Sequence, residues 1–308
     1  MTPYYSHGKL LISGEYLVLD GALALAVPTK FGQSLTVTKT SDDSHLLKWR
    51  SLDNHGSEWY TSTFDLSGNS ISRTTKKTDP ITDRLLQILN ATKQLNPEFL
   101  ATQDRIEITT TLEFPKNWGL GTSSTLINNI ASWAGVDPYR LLALTFGGSG
   151  YDIACAQSDQ SLTYQLNNRK QPLVNTVHFN PSFKQQLYFI HLNQKQNSRD
   201  GIAKYRTNKG LDESAILKIN RITNQMVQCK SLETFRTLME DHESIISKVI
   251  KTTSVKQRLF SDFQGSIKSL GAWGGDFIMT ASEQDPTNYF LSKGYKTILS
   301  YSEMIMDK

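Results

Sequence analysis

The chain has 308 residues, 38% of them hydrophobic and 20% charged, with a formal charge of +4. That length accommodates two domains that each bury a core, and the scattered lysines and arginines form no run that would make a nucleic-acid patch. Its two cysteines, Cys155 and Cys229, have neither CxxC spacing nor a nearby histidine cluster, which argues against a disulfide framework and a structural zinc site.

No apolar run approaches the roughly 18 residues that would span a bilayer, and Met1 to Gly8 is polar and aromatic rather than leader-like. The expectation is a soluble, cytoplasmic protein with no membrane or nucleic-acid partner.

In chain order, residues 8–38 read as strands: Leu10-Leu11-Ile12, then Ala24 to Val27, then Leu35 and Val37 alternating with Ser34, Thr36 and Thr38. Residues 39–79 are polar, include Trp49 and Trp59, and read as a hairpin or lid insertion. Asp79-Pro80 opens a helix, with Asp as cap and Pro at the first position, and Ile81, Leu85, Ile88 and Leu89 share its apolar face. Ile106, Ile108, Thr110 and Leu112 alternate as a strand that runs into Pro115 and a glycine loop.

Beyond that loop, Leu126, Ile127, Ile130 and Ala134 predict a helix ended by Gly135, and Asp137-Pro138 starts another that Gly147-Gly148 stops. A strand is expected around Tyr188 to Leu192. Two long helices follow, one along Ile216, Ile219, Ile222 and Met226, the other along Leu232, Phe235, Leu238, Met239, His242, Ile245, Ile246 and Val249. Phe277 to Ala281 and Thr297 to Tyr301 read as closing strands. This order predicts an α+β chain of two domains, residues 1–183 and 184–308.

The strongest local signal is strand, then Gly119-Leu120-Gly121-Thr122-Ser123-Ser124, then helix. Glycines let backbone N–H groups approach a phosphate, the helix N-terminus supplies unsatisfied donors and partial positive charge, and the three hydroxyls add donors. Read locally, a glycine turn with Ser/Thr capping explains the same residues. No Gly-Lys-[Ser/Thr] follows, so it is not a Walker A loop.

Pro115 through Ser123 resembles the second motif of the GHMP kinases, which act on galactose, homoserine, mevalonate and phosphomevalonate. Gly8-Lys9-Leu10-Leu11-Ile12-Ser13-Gly14-Glu15-Tyr16-Leu17-Val18-Leu19-Asp20-Gly21 is similar to the family's first motif, and Gly271-Ala272-Trp273-Gly274-Gly275-Asp276 to its third. Gly148-Ser149-Gly150-Tyr151-Asp152-Ile153-Ala154 resembles the segment bearing the catalytic aspartate, and the signature of a bacterial subgroup named for the letters GYDIA. The four motifs occur in family order.

The resemblance implies a GHMP kinase fold, an N-terminal α+β domain followed by a ferredoxin-like C-terminal domain, with ATP and Mg²⁺ as cofactors and a monomer or homodimer. It implies that Asp152 receives the proton of the substrate hydroxyl or polarises that hydroxyl, that Lys9 orients this aspartate and neutralises charge near the transferred phosphoryl, and that Gly119 to Ser124 bind the nucleotide phosphates, with Ser123 on the metal. Glu15, Gly271, Gly274 and Gly275 are the residues implied at the substrate. On the residues alone, Asp152 could instead cap a short helix, Lys9 could be a solvated lysine, Glu15 a turn charge, and the glycines of the third motif a strand-entry turn.

His7, His178, His191 and His242 lack metal-ligand spacing. Lys195, Ser198 and Arg199 form a polar loop that is either a receptor for an anionic substrate or plain surface.

The sequence departs from the family pattern in one stretch and at two single positions. Residues 139–148 contain no acid, where mevalonate kinases carry a glutamate that helps hold Mg²⁺. Trp273 stands in place of a glycine, and Thr122 in place of a serine. Gly14-Glu15-Tyr16 and Gly274-Gly275-Asp276 lean toward phosphomevalonate kinases, so mevalonate and phosphomevalonate are both expected substrates. A nucleotide-binding sensor without catalysis, or a kinase of homoserine or a small sugar, are the alternatives.

Overall fold

The computed structural model describes residues 3–76, 78–194, 198–207, 212–273 and 275–306, the side chains of residues 198, 199 and 204 excepted. In chain order its elements are β1 (Tyr4–Leu11), β2 (Ala24–Thr40), β3 (Leu46–Leu52), β4 (Glu58–Asp65), β5 (Ser72–Arg73), α1 (Pro80–Leu95), β6 (Arg105–Leu112), α2 (Thr122–Ala134), α3 (Pro138–Thr145) and α4 (Tyr151–Ala156). There follow β7 (Leu162–Leu166), β8 (Pro172–Thr176), β9 (Leu187–His191), α5 (Ser198–Thr207), α6 (Glu213–Gln228), α7 (Leu232–Ile250), α8 (Val255–Leu259), β10 (Ser266–Ser269), β11 (Phe277–Ala281), α9 (Thr287–Ser292), β12 (Ile298–Ser300) and α10 (Tyr301–Met304). Contacts divide them between two compact units, neither of which is one continuous stretch of sequence.

The first unit comprises Met1–Gly8, Phe31–Lys116 and Gly121–Gln157. Its sheet runs β5-β4-β3-β6 and then the later part of β2. β3 and β4 form an antiparallel hairpin, the element expected within residues 39–79, and β3 lies parallel to β6 with Leu47 opposite Ile106. Alternation along β6 puts Ile106, Ile108, Thr110 and Leu112 on the buried side, as a period of two requires. Ile106 and Ile108 join Trp49, Phe64, Ile88, Leu89, Ile127 and Ile130 in one core.

Asp79 caps α1 as expected, accepting from the N–H groups of Ile81 at 3.1 Å and Thr82 at 2.9 Å, and Asp137 caps α3 from Tyr139 at 2.8 Å. The apolar stripe of α1 begins at Leu85; Ile81, expected on that face, is 46% exposed because the stripe runs out in the first turn.

The second unit comprises Lys9–Lys30, Asn117–Leu120 and Ser158–Lys308. The early part of β2 pairs with β7, which pairs with β8 in a hairpin that sequence patterning did not place. A separate antiparallel sheet has the order β10-β11-β9-β12. With helices between β9 and β10 and between β11 and β12, this is the β-α-β-β-α-β arrangement of a ferredoxin-like layer, as expected. Phe260, Phe263, Ile267, Ile278 and Phe290 pack its core. No helix among the described residues is long and apolar enough to cross a membrane.

Candidate active site

The glycine loop changes unit between Leu120 and Gly121. Its first part is docked within the second unit. Trp118 meets Phe277 edge-on with centroids 5.4 Å apart, and the Nε2–H of His191 donates to the Asn117 carbonyl at 3.1 Å. Lys9 holds the next two residues: its ammonium donates to the Gly119 carbonyl and its backbone N–H to that of Leu120, both at 2.9 Å. Gly119 has φ +69°, and a Cβ there would overlap the Asp276 carboxyl group. Glycine is therefore required twice over, by the left-handed backbone and by the neighbour.

The second part of the loop opens α2 within the first unit. Gly121 is the N-cap, with φ +95°, and its carbonyl accepts from the N–H groups of Ser124 and Thr125 at 3.0 Å each. Thr122 and Ser123 come first in the helix, so their N–H groups lack an intrahelical acceptor and lie at the positive end of the helix dipole. α2 is fixed by buried polar bonds: Thr125 Oγ1 to Gln33 Oε1 at 2.7 Å, Asn129 Nδ2 to the Gln33 carbonyl at 2.8 Å, and Ser6 Oγ to Asn129 Oδ1 at 2.7 Å. Such bonds hold the loop's exit in one orientation.

Asp152, in the first turn of α4, is half-buried and belongs to the same unit. The Ser124 hydroxyl donates to its Oδ2, and the Ile153 N–H reaches its Oδ1 at 3.2 Å. The N-cap of α4 is Gly150, so Asp152 does not occupy the capping position. Instead its carboxylate is tied to the glycine-loop helix. Ser123, the expected metal serine, is exposed, while Ser124 is buried. Burial first, then the neighbouring charges of Cys155 and Asp152, push the Tyr139 phenol up to about 12.

In the second unit, Glu15 is buried at 1% exposure. Lys268, also buried, donates to Glu15 Oε1 and, at 3.0 Å, to the Ser269 carbonyl. Glu15 Oε2 lies 3.2 Å from His242 Nε2, which accepts from the Gly14 N–H at 3.0 Å. Glu243 accepts from the Ser269 N–H at 3.0 Å and hydroxyl at 3.1 Å.

Burial raises the Glu15 carboxyl, and Lys268 draws it back. Burial, with Lys268 second, drives His242 well below its ordinary range and keeps it neutral. Glu243 is pushed up to about 8 by burial, against Lys268 and with Glu15. One buried ammonium thus faces two carboxyl groups, and electrostatics favour a proton on one of them near neutral pH.

The third-motif loop joins β10 to β11. Gly271 has φ +63°, Trp273 is buried, and Ala272 accepts a hydrogen bond from the Tyr16 hydroxyl at 3.1 Å. Gly275 is buried as well, while Gly274 and Lys195, and the side chains of Ser198 and Arg199, lie outside the described residues.

Sequence patterning missed Lys268 and Glu243, and placed Asp276 in the third motif without a role. One signal was available for the helix: His242 falls in the apolar series of α7, where an imidazole must find a polar partner in the core. Among the described residues no group of three or more His, Cys, Asp or Glu could hold a metal.

No family model and no curated protein matches the sequence. Solved structures do match over nearly the whole chain. The Lin0012 protein from Listeria innocua has 16% identity and a TM-score of 0.70, covering 96% of this chain and 95% of its own. The mevalonate kinase of Methanococcus jannaschii has 15% identity and a TM-score of 0.68, covering 97% and 96%. The phosphomevalonate kinase of Streptococcus pneumoniae, in complex with phosphomevalonate and AMPPNP, has 16% identity and a TM-score of 0.67, covering 95% of each chain. The fold of this chain is that of the GHMP kinases.

Proposed function

We propose that this chain is an ATP-dependent small-molecule kinase that transfers the γ-phosphoryl group to a hydroxyl or phosphate of a mevalonate-like substrate, mevalonate or phosphomevalonate. The observation that carries this reading is the bond from Ser124, on the glycine-loop helix, to Asp152. It joins a helix N-terminus suited to an anion with a carboxylate suited to a proton.

In this reading Gly119, Leu120, Gly121, Thr122, Ser123 and Ser124 bind the triphosphate. Asp152 takes the proton of the acceptor hydroxyl, the freed oxygen forms the new bond to the γ-phosphorus, and the bond from phosphorus to the bridging oxygen breaks to release ADP. Lys9 offsets negative charge at the loop through its place on Gly119. Gly271, Gly274 and Gly275 of the third motif are the residues this reading assigns to the acceptor substrate. Serine hydroxyls with a single nearby carboxylate suit Mg²⁺, which keeps several waters and takes nucleotide oxygens for the rest of its shell. Ser123 would hold it, and the ion would screen the phosphate charge.

A coupled ADP-release assay over mevalonate, phosphomevalonate, homoserine and small sugars tests the reading. Turnover on at least one, lost in Asp152→Asn, is expected. Nucleotide binding by calorimetry with no turnover on any of them would leave a nucleotide-binding sensor of the same fold. That second reading is favoured by the lack of any acid in residues 139–148.

A further inference from the structure

We propose that Lys268 and Glu15 are positioning residues that set the turns at residues 12–17 and 269–276 and, through them, the start of the glycine loop at Gly119. The inference rests on the kinase reading for its consequence, and on the second unit alone for its geometry. Contacts there close a ring. Lys9, on β1, donates to the Gly119 carbonyl, and Gly119 lies against the Asp276 carboxyl. Asp276 leads directly into β11, whose Met279 is paired with Lys268 of β10. Lys268 then grips Glu15, which follows β1 by four residues and so returns the ring to Lys9.

The chemistry of the pair fits positioning better than stability. Both side chains are shut off from solvent. An ion pair placed so deep gains little over well-packed apolar residues, because desolvation offsets the attraction. Its distinguishing property is direction: the ammonium must satisfy Glu15 and the Ser269 carbonyl together, which fixes where β10 ends relative to the first-motif turn.

α7 supplies a second anchor to each side. His242 Nε2 accepts from Gly14, and Glu243 accepts from Ser269. Gly14 itself has φ +91°, and a Cβ there would stand 2.8 Å from the Ala24 Cβ, so the turn has no room to drift. Glu15 therefore acts through the loops it orients, without contact to substrate.

The test compares the native chain with Lys268→Met and with Glu15→Leu/Lys268→Met. Three quantities are measured: the thermal midpoint, hydrogen exchange of peptides spanning residues 12–17 and 269–276, and AMPPNP affinity. The single variant should lose stability, because it strands a buried carboxylate. The double variant, an apolar pair designed to fold even if the single one does not, should regain most of the midpoint. Both loops should nonetheless exchange about tenfold faster in it, and AMPPNP should bind about tenfold more weakly.

Recovery of loop protection and of AMPPNP affinity along with the midpoint would overturn the proposal, leaving the pair a structural element only. So would loops that stay protected in Lys268→Met. Exchange is read without turnover, so a native chain that releases no ADP on any substrate would count against the kinase reading and leave this result standing.

Discussion

Asp152 in one unit and Glu15 in the other are both motif carboxylates, and both are held by a donor from a distant part of the sequence, Ser124 and Lys268 respectively. Their surroundings differ. Asp152 is half-buried, in the first turn of a short helix, with a hydroxyl as its partner. Glu15 is enclosed with an ammonium, an imidazole and a second carboxyl group. A group that must exchange a proton with a bound molecule needs access and a weak tether; a group that sets backbone position needs burial and a strong one. The comparison teaches that membership of a motif does not by itself distinguish contact with a substrate from support of the loops around it.

The largest expected effect separates the two directly. Asp152→Asn should lower kcat by about 10²–10⁴-fold, the contribution of a positioned base, while its thermal midpoint stays near that of the native chain. Lys268→Met should do the reverse in emphasis, losing about 3–5 kcal/mol of stability in denaturant unfolding, the cost of leaving a buried charge without its partner. Were Asp152→Asn to unfold the protein, or Lys268→Met to leave stability untouched, the contrast would fail.

Gly119→Ala sharpens the comparison at the point where the loop meets Asp276. Strain at a positive φ and overlap with the carboxyl group should cost about 1–3 kcal/mol in unfolding free energy and weaken nucleotide binding measured by calorimetry.

The buried cluster also predicts a pH optimum for stability. Glu243 is protonated up to about 8 when folded and only up to its ordinary 4.5 when unfolded, so its stabilising contribution is complete below 4.5 and lost as pH rises through 8. His242 acts with the opposite sign, since the unfolded chain binds its proton below 6.5 and the folded chain does not. Of the two, only Glu243 acts above 6.5, so the thermal midpoint should decline from there to about pH 8. Glu243→Gln should flatten that decline; an unchanged slope would show that the proton sits elsewhere. The smallest effect is Asp137→Ala, which removes the α3 cap and should cost about 1 kcal/mol with little change in turnover.

Much of the first unit was legible in the sequence because its signals are local. Asp79-Pro80 and Asp137-Pro138 each place a cap and a helix start within two residues, and Ile106 to Leu112 show their alternation without outside help. The glycine loop reads locally as a phosphate cradle or equally as a capping turn, and it is the other three motifs that favour the first. The hairpin of β7 and β8 was not legible: both strands are five residues long, and β8 exposes Leu173 and Val174 while its polar residues also face out. Nor was the cluster around Glu15. Its partners come from α7 and β10, more than two hundred residues away, and a lysine in Ser-Ile-Lys-Ser carries no local mark of being buried. Periodicity reports which face is apolar; it is silent on which polar side chains meet inside.

The interleaving of the two units in sequence bears on how the protein can be made. Lys9–Lys30 belongs with residues beyond Ser158, and Asn117–Leu120 with the same group. No single cut separates the units. A fragment ending at Gln157 would carry every residue of the first unit, yet it would also carry Leu10, Leu11, Ile12, Leu17, Val18, Leu25 and Val27, all buried in the whole chain, without the partners that cover them. On the ribosome the same seven side chains wait for the C-terminal half, so early synthesis leaves an apolar segment that chaperones or aggregation would meet first.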